Sequence, residues 1–286
     1  VNSVARERVR AQEPWRARLE LQFEAAGART VLARRRHEGP LLVQRPFYPE
    51  GPLGGPCHTY VIHPPGGVVS GDELELSTRI APGARVLMTT AAAGKFYRSA
   101  DAQRASRVIQ QFQIEHGELE WLPFESIFYP SSVVELSTRV HFTAQSRFIG
   151  WEIGCLGLPA RGQGLEDGRV RQSIELWREQ RPLVLERLQL DAVCASARWG
   201  LDRQPAFGSC FAYPAGASEL ELARAAAARG ASSELTIGCS LLEGVLTCRA
   251  RALHTDRLRA AFIELWRALR PLLLGRAALL PRIWAT

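Results

Sequence analysis

The sequence predicts an all-β-dominated fold with two helices in its C-terminal third. Three observations carry this reading. Apolar and polar residues alternate with period two over several short stretches, which is the pattern of half-buried strands. Turn-forming residues separate these stretches at regular, short spacing. Patterns with helical period appear only after residue 217.

The first clear strand is "DELELSTRI" (72–80), with Leu74, Leu76, Thr78 and Ile80 on one face and charge on the other. Pro82-Gly83 supplies a turn, and "RVLMTTA" resumes an apolar run. "SRVIQQFQI" places Val108, Gln110, Phe112 and Ile114 on one face; His116-Gly117 then turns the chain toward Leu119 and Trp121. "VVELSTRVHF" (133–142) alternates through Leu136, Thr138, Val140 and Phe142. In "GLEDGRVRQSIELW", Asp167-Gly168 stands where a hairpin turn belongs, and "ELTIGCSLLEGVLTCRARAL" (234–253) reads as a further hairpin turning at Glu243-Gly244. The pentapeptide "ELSTR" occurs at 75–79 and again at 135–139, as equivalent strands in two stacked hairpin layers would show. "SELELARAAAARG" (218–230) predicts a helix with Ser218 as N-cap and Gly230 at its end. "HTDRLRAAFIELWRALRP" (254–271) predicts a second, over 255–270, with Thr255 as N-cap. Leu258, Ala261, Phe262, Leu265 and Leu269 form its apolar stripe, and Pro271 stops it. No Gly/Ser-rich linker interrupts the chain, so one domain over 1–286 is expected.

At 286 residues with 46% hydrophobic and 23% charged residues, the chain has the composition of a globular protein able to bury a sizeable core. No apolar run is long enough to span a membrane. The charged start "VNSVARERVRAQEPWRARLE" lacks the apolar region of a secretory signal, so a cytoplasmic protein without membrane association is expected. The formal net charge is +7, and Lys95 is the only lysine among 36 basic residues. Basic residues are spread along the chain, with one short run in "ARRRH" (33–37). That favours a solvated basic surface, or an acidic protein partner, over a nucleic-acid stripe. The six cysteines form no CxxC pair, which argues against zinc-ribbon and thioredoxin motifs and for reduced thiols filling core space.

The stretch "HPPGGVVSGD" (63–72) packs a histidine, two prolines, three glycines and a carboxylate into ten residues. Gly66 and Gly71 have the spacing of a phosphate loop, but Asp72-Glu73 follow where lysine and serine or threonine belong. Ser70 stands beside the second glycine and breaks the nucleophile-elbow pattern, and neither H-E-x-x-H nor a dinucleotide fingerprint occurs. The stretch therefore reads as a rigid tight turn with His63 and Asp72 near its two ends. Cys57, His58, His63 and Asp72 fall within sixteen residues and have the donor types of a transition-metal site, at a spacing that matches no closed structural site.

Several longer motifs, in order, resemble the urease accessory protein UreD family (UreH in some bacteria): "IHPPGGVVSGD" (62–72), "TTAAAGKFYRS" (89–99), "EWLPFESIFY" (120–129), "WEIGCLGLPA" (151–160), "PLVLERLQLD" (182–191) and "PRIWAT" (281–286). Ser70, Gly94 and Phe124 depart from the family pattern. The resemblance implies a layered, helically wound β architecture and a non-catalytic scaffold. Such a scaffold binds the urease apoprotein together with the accessory protein UreF and the GTPase UreG, and supports insertion of nickel, held only transiently, into the urease active site. It also implies a nickel path through the protein interior. Loose transit of such an ion needs carboxylates, imidazoles or thiolates in a partly hydrated interior. Asp72, Glu125, Glu152 and Glu186 each lie inside one of these motifs beside apolar residues, and Cys57 and His63 complete the set of transit candidates. Of these, Asp72 and Glu186 stand out, and structural hydrogen bonding remains open for each. Lys95 and Arg98 read as ion-pair or interface residues, and Trp284 as packing on the body. The competing function is a stand-alone metal-dependent hydrolase built on Cys57, His63 and Asp72.

Overall fold

Between residues 57 and 178 the chain passes back and forth between two sheets instead of pairing each strand with the next, as a computed structural model of residues 14–285 describes. Residues 1–13 and 286 lie outside it, and with them most of the charged N-terminal stretch and the last residue of "PRIWAT". The strands are β1 (Arg16–Ala26), β2 (Arg29–Glu38), β3 (Leu42–Val43), β4 (Cys57–Ile62), β5 (Glu73–Ile80), β6 (Arg85–Thr90), β7 (Gly94–Phe96), β8 (Ser106–Ile114) and β9 (Glu118–Trp121). They continue as β10 (Ser126–Phe128), β11 (Val133–Phe142), β12 (Arg147–Leu156), β13 (Arg169–Arg178), β14 (Arg181–Leu190), β15 (Ala206–Tyr213), β16 (Leu235–Leu242) and β17 (Val245–Ala252). The helices are α1 (Ala192–Ser196), α2 (Ala217–Gly230) and α3 (Thr255–Leu274); the five-residue α1 has no counterpart in the sequence reading. None of the helices is long and apolar enough to cross a membrane.

The first sheet runs β14-β13-β11-β8-β5-β1-β2, and the second runs β16-β17-β15-β12-β9-β6-β4-β3, with β10 attached to β12 and β7 to β10. From β4 to β13, apart from the three-residue β7 and β10, the chain lays one strand in one sheet and the next in the other. Successive strands within a sheet are therefore parallel neighbours: β5, β8, β11 and β13 in the first, β4, β6, β9 and β12 in the second. This is the helically wound, layered β fold. The period-two pattern is explained by it, because strands such as β5 and β11 turn Leu74, Leu76, Thr78, Ile80 and their equivalents inward and charge outward. On the outer face arginines and glutamates pair across strands, as in Arg107–Glu135–Arg171 and Arg139–Glu175–Arg187.

The winding corrects two expectations. The turn at Asp167-Gly168 exists, with Gly168 N–H donating to Leu165 O at 3.0 Å, but it delivers β13 parallel to β11 and makes no hairpin. Turn chemistry is the same whether a chain reverses within a sheet or crosses between layers. The two "ELSTR" copies lie in one sheet, on β5 and β11, either side of β8. Leu74 and Leu136 both face Val108, so the copies are offset by one pleat. The Glu243-Gly244 turn does close a hairpin, with both residues at positive φ (52° and 77°) as a type I′ turn requires.

The second sheet buries its other face under α2 and α3, giving three layers. Leu258, Phe262, Leu265, Trp266 and Leu269 of α3 are fully buried against it, each worth about 1.5–3 kcal/mol relative to exposure. Two helix ends differ from expectation. Gly216, not Ser218, caps α2, its N–H held by Glu219 Oε2 at 2.7 Å. The glutamate is the better partner because its carboxylate is charged and sits in the first turn. Likewise His254 rather than Thr255 precedes α3. Pro271 does not stop that helix; it continues to Leu274 and ends at Gly275 in the left-handed region (φ 68°). Burial of Leu273 and Leu274 in the extra turn outweighs the one backbone bond that proline forfeits.

Candidate functional site

A cavity of about 400 Å3 opens between the two sheets. Leu74, Leu76 and Gln110 wall it from the first sheet, and Val61, Trp121 and Glu152 from the second; the turn residues His63, Gly66 and Gly67 and the segment around Lys95 line it further. Alternation along β12 puts Glu152 there: Ile149, Trp151 and Ile153 face the helices while Phe148 and Glu152 face the first sheet. Glu152 is 8% exposed. Its Oε1 accepts from Trp121 Nε1 and from Thr138 Oγ1, both at 3.1 Å. Among the described residues no cationic side chain lies within 4.0 Å of it, and burial pushes its carboxyl up to about 7 against those two hydrogen bonds. Gln110 Oε1 is buried in the same region and has no hydrogen-bond partner among the described residues. His63, where burial lowers the imidazole and the Asp72 charge partly offsets that shift, completes a set of carboxylate, amide and imidazole donors that suits a borderline divalent cation in passage.

The glycine turn is shaped by its neighbours. Gly66 has φ 79°, and a Cβ on Gly67 would meet the Tyr97 ring at 2.1 Å, so any larger residue there would have to displace that ring. Asp72 fastens the turn instead of lining the cavity. Its two carboxylate oxygens accept from Trp15 N–H and Val69 N–H, each at 2.9 Å.

The other sequence candidates are dispersed. The Glu186 carboxylate, which the sequence leaves without a partner, accepts from Ser209 Oγ at 2.7 Å and from Arg249 Nε at 2.6 Å, and so ties β14 to the second sheet. Glu125 is half-buried, near enough to Arg259 and Cys155 for its charge to act on both. Cys57 is buried with its Sγ 3.8 Å from Thr59 Oγ1, and burial pushes its thiol up. His58, adjacent on the strand, bonds Glu50 Oε1 at 2.8 Å. Among the described residues no three His, Cys, Asp or Glu side chains are assembled to hold a metal, so the Cys57, His63 and Asp72 group is not brought together. Lys95 lines the cavity and forms no ion pair among the described residues, while Trp284 packs on Trp151 and Trp266 and donates to Thr89 Oγ1 at 3.0 Å.

Sequence reasoning missed the most heavily bonded cluster in the molecule. Arg270 of α3 is wholly buried and donates to Glu120 through Nε at 2.7 Å and Nη2 at 3.0 Å, and to Glu50 through Nη1 at 2.8 Å and Nη2 at 2.7 Å. Trp266 Nε1 and Arg276 Nη2 also reach Glu120, at 2.6 and 3.1 Å. Burial alone would raise the Glu50 carboxyl, but hydrogen bonds from His58 and Arg270 hold it at about 2. Fully paired in this way the charges can stay buried, and they clamp α3 and the segment after it onto β9. The one available signal is "GELEWL", where Glu118 and Glu120 alternate with Leu119 and Trp121 on a strand whose both faces turn out to be covered.

Residues 16–285 match the model of the family described as UreD urease accessory protein. A urease accessory protein UreD of Klebsiella pneumoniae is 42% identical over 275 residues, covering 95% of this chain and 96% of its own. Those of Pseudomonas putida and Alcanivorax borkumensis are 39% and 37% identical, each over 95% of this chain and over 95% and 92% of their own.

Proposed function

Because the chain belongs to the UreD urease accessory protein family, we propose that it acts as a non-catalytic scaffold on the urease apoprotein, with UreF and UreG, and that its inter-sheet cavity passes nickel toward the urease active site. Nickel is cargo here and needs donors that bind it weakly enough to let go. The observation that carries this reading is Glu152: a carboxylate buried beside a cavity, hydrogen-bonded but without a cationic partner. Such a group costs stability in a protein whose other buried glutamates, Glu118, Glu120 and Glu175, are paired with arginine. A divalent ion in the cavity would displace its proton and relieve that cost. His63 and the orphaned oxygen of Gln110 offer further donors along the same wall. Asp72 serves this reading indirectly, by fastening the turn that lines the cavity, whereas Glu186 ties an edge strand that does not line it.

Glu152→Gln tests it. The amide keeps an oxygen for Trp121 and Thr138 but loses the charge, so nickel content and activity of urease matured with the variant should fall about tenfold. Co-purification with urease and the accessory proteins should be unchanged. Full activation by the variant would place the route elsewhere; loss of co-purification would make Glu152 structural.

A further inference from the structure

Three cysteines stand in one row across the edge of the second sheet. Cys239 of β16 faces Cys248 of β17, and Cys248 faces Cys210 of β15. All three point toward the helical layer, Cys210 and Cys248 buried and Cys239 half-buried. The two contacts are not equivalent. Leu242 and Val245 close the two-residue Glu243-Gly244 turn as a hydrogen-bonded pair. Alternation along an antiparallel ladder then makes Ser240/Thr247 hydrogen-bonded and Cys239/Cys248 non-hydrogen-bonded. Cys248 accordingly directs its own N–H and C=O toward β15, and Cys210/Cys248 is a hydrogen-bonded pair. Non-hydrogen-bonded pairs bring Cβ atoms to about 4.5 Å, hydrogen-bonded ones to about 5.5 Å. A disulfide needs about 3.8 Å, so a small inward movement joins the first pair and not the second.

We propose that Cys239 and Cys248 form a two-electron oxidation site for hydroperoxides, closing to a cross-strand disulfide in the β16–β17 hairpin. This is independent of the nickel reading. The division of labour follows from exposure: the half-buried Cys239 meets the oxidant and the buried Cys248 resolves it. The environment agrees, because the hydrogen bond from Cys248 and the Arg224 charge from α2 hold the Cys239 thiol below its ordinary range while the same hydrogen bond and burial raise Cys248. In the first step the Cys239 thiolate attacks a peroxide oxygen. The S–O bond forms, the O–O bond breaks, and the other oxygen leaves as water or alcohol after taking a proton. Cys239 sulfur, oxidised by two electrons, is then a sulfenic acid, and the peroxide is reduced by the same two. In the second step Cys248 sulfur attacks Cys239 sulfur, the S–O bond breaks, and the thiol proton leaves with the hydroxide as water.

The test uses the full chain and hydrogen peroxide. Trypsin releases both thiols in the peptide 230–249, and a glutamyl endopeptidase cuts it at Glu234 and Glu243, so a Cys239–Cys248 link appears as fragments 235–243 and 244–249 joined until reduction separates them. The expected result is that this link exceeds any Cys210–Cys248 link by about tenfold, survives in Cys210→Ser, and is replaced in Cys248→Ser by a sulfenic acid at Cys239 that dimedone captures. Linking should be slower in guanidinium, where only sequence proximity remains. A dominant Cys210–Cys248 link, oxidation of the other half-buried thiol, Cys194, ahead of Cys239, or equal linking in the unfolded chain would each overturn the proposal.

Discussion

Glu152 and Asp72 are both buried carboxylates, yet substitution should move them in opposite directions. The Glu152 carboxyl titrates near 7 in the folded state against about 4.5 when unfolded. Below the lower value both states are protonated and the residue is neutral to stability. Between the two, the folded state holds a proton that the unfolded state has released, so stability falls as pH rises, and the full penalty, about 3 kcal/mol, is reached above about 7. Glu152→Gln should therefore unfold at higher urea than the parent at pH 8 and match it near pH 4; a gain that does not depend on pH would contradict the assignment. Asp72 accepts two backbone N–H bonds, and Asp72→Ala leaves both donors, Val69 in the turn and Trp15 ahead of β1, without their partner. Its urea midpoint should drop by the equivalent of about 3 kcal/mol, measured by equilibrium denaturation. The sequence marks both residues as acids among apolar neighbours. It does not tell them apart, because that depends on which backbone amides the fold brings to each carboxylate.

Elements were legible in several stretches where one face is buried and the other wet, although β1, which alternates as cleanly, went unread. β5 and β11 follow the alternation residue by residue, and α3 places its stripe as the spacing requires. Two things were not legible. The end of α3 depended on the burial of Leu273 and Leu274 beyond a proline, a tertiary gain that overrides a local rule. The clamp beneath that helix joins Arg270 to Glu120 and Glu50, which lie 150 and 220 residues away, and no local pattern encodes a partner at such range. Arg270→Ala leaves two carboxylates facing each other in a dry layer and should cost about 3–5 kcal/mol. Hydrogen exchange should show α3 and the segment to residue 285 losing protection before the strands of the first sheet do. Uniform loss across the molecule would mean that the clamp holds more than its own layer.

At the scale of the whole molecule, the strand pattern gave the layers but not the order in which they are wound, since a period of two reports burial and is silent about which strand lies alongside. That order has a consequence in time. In the first sheet Val108 pairs with Leu74 and Leu136, and Val133 with Arg169, so every parallel ladder waits for an intervening crossing of the other sheet. Loop closure must be completed before any ladder is rewarded. A chain emerging from the ribosome therefore carries unpaired parallel edges between β4 and β13, which only the lap that follows can cover. Refolding from urea should be slow, on the order of seconds, and its yield should fall as protein concentration rises, as light scattering and recovered monomer would measure. Fast refolding at a yield independent of concentration would mean that the wound strands assemble from local structure after all. The winding that leaves a cavity between the sheets thus also sets a long interval in which the unfinished chain is sticky.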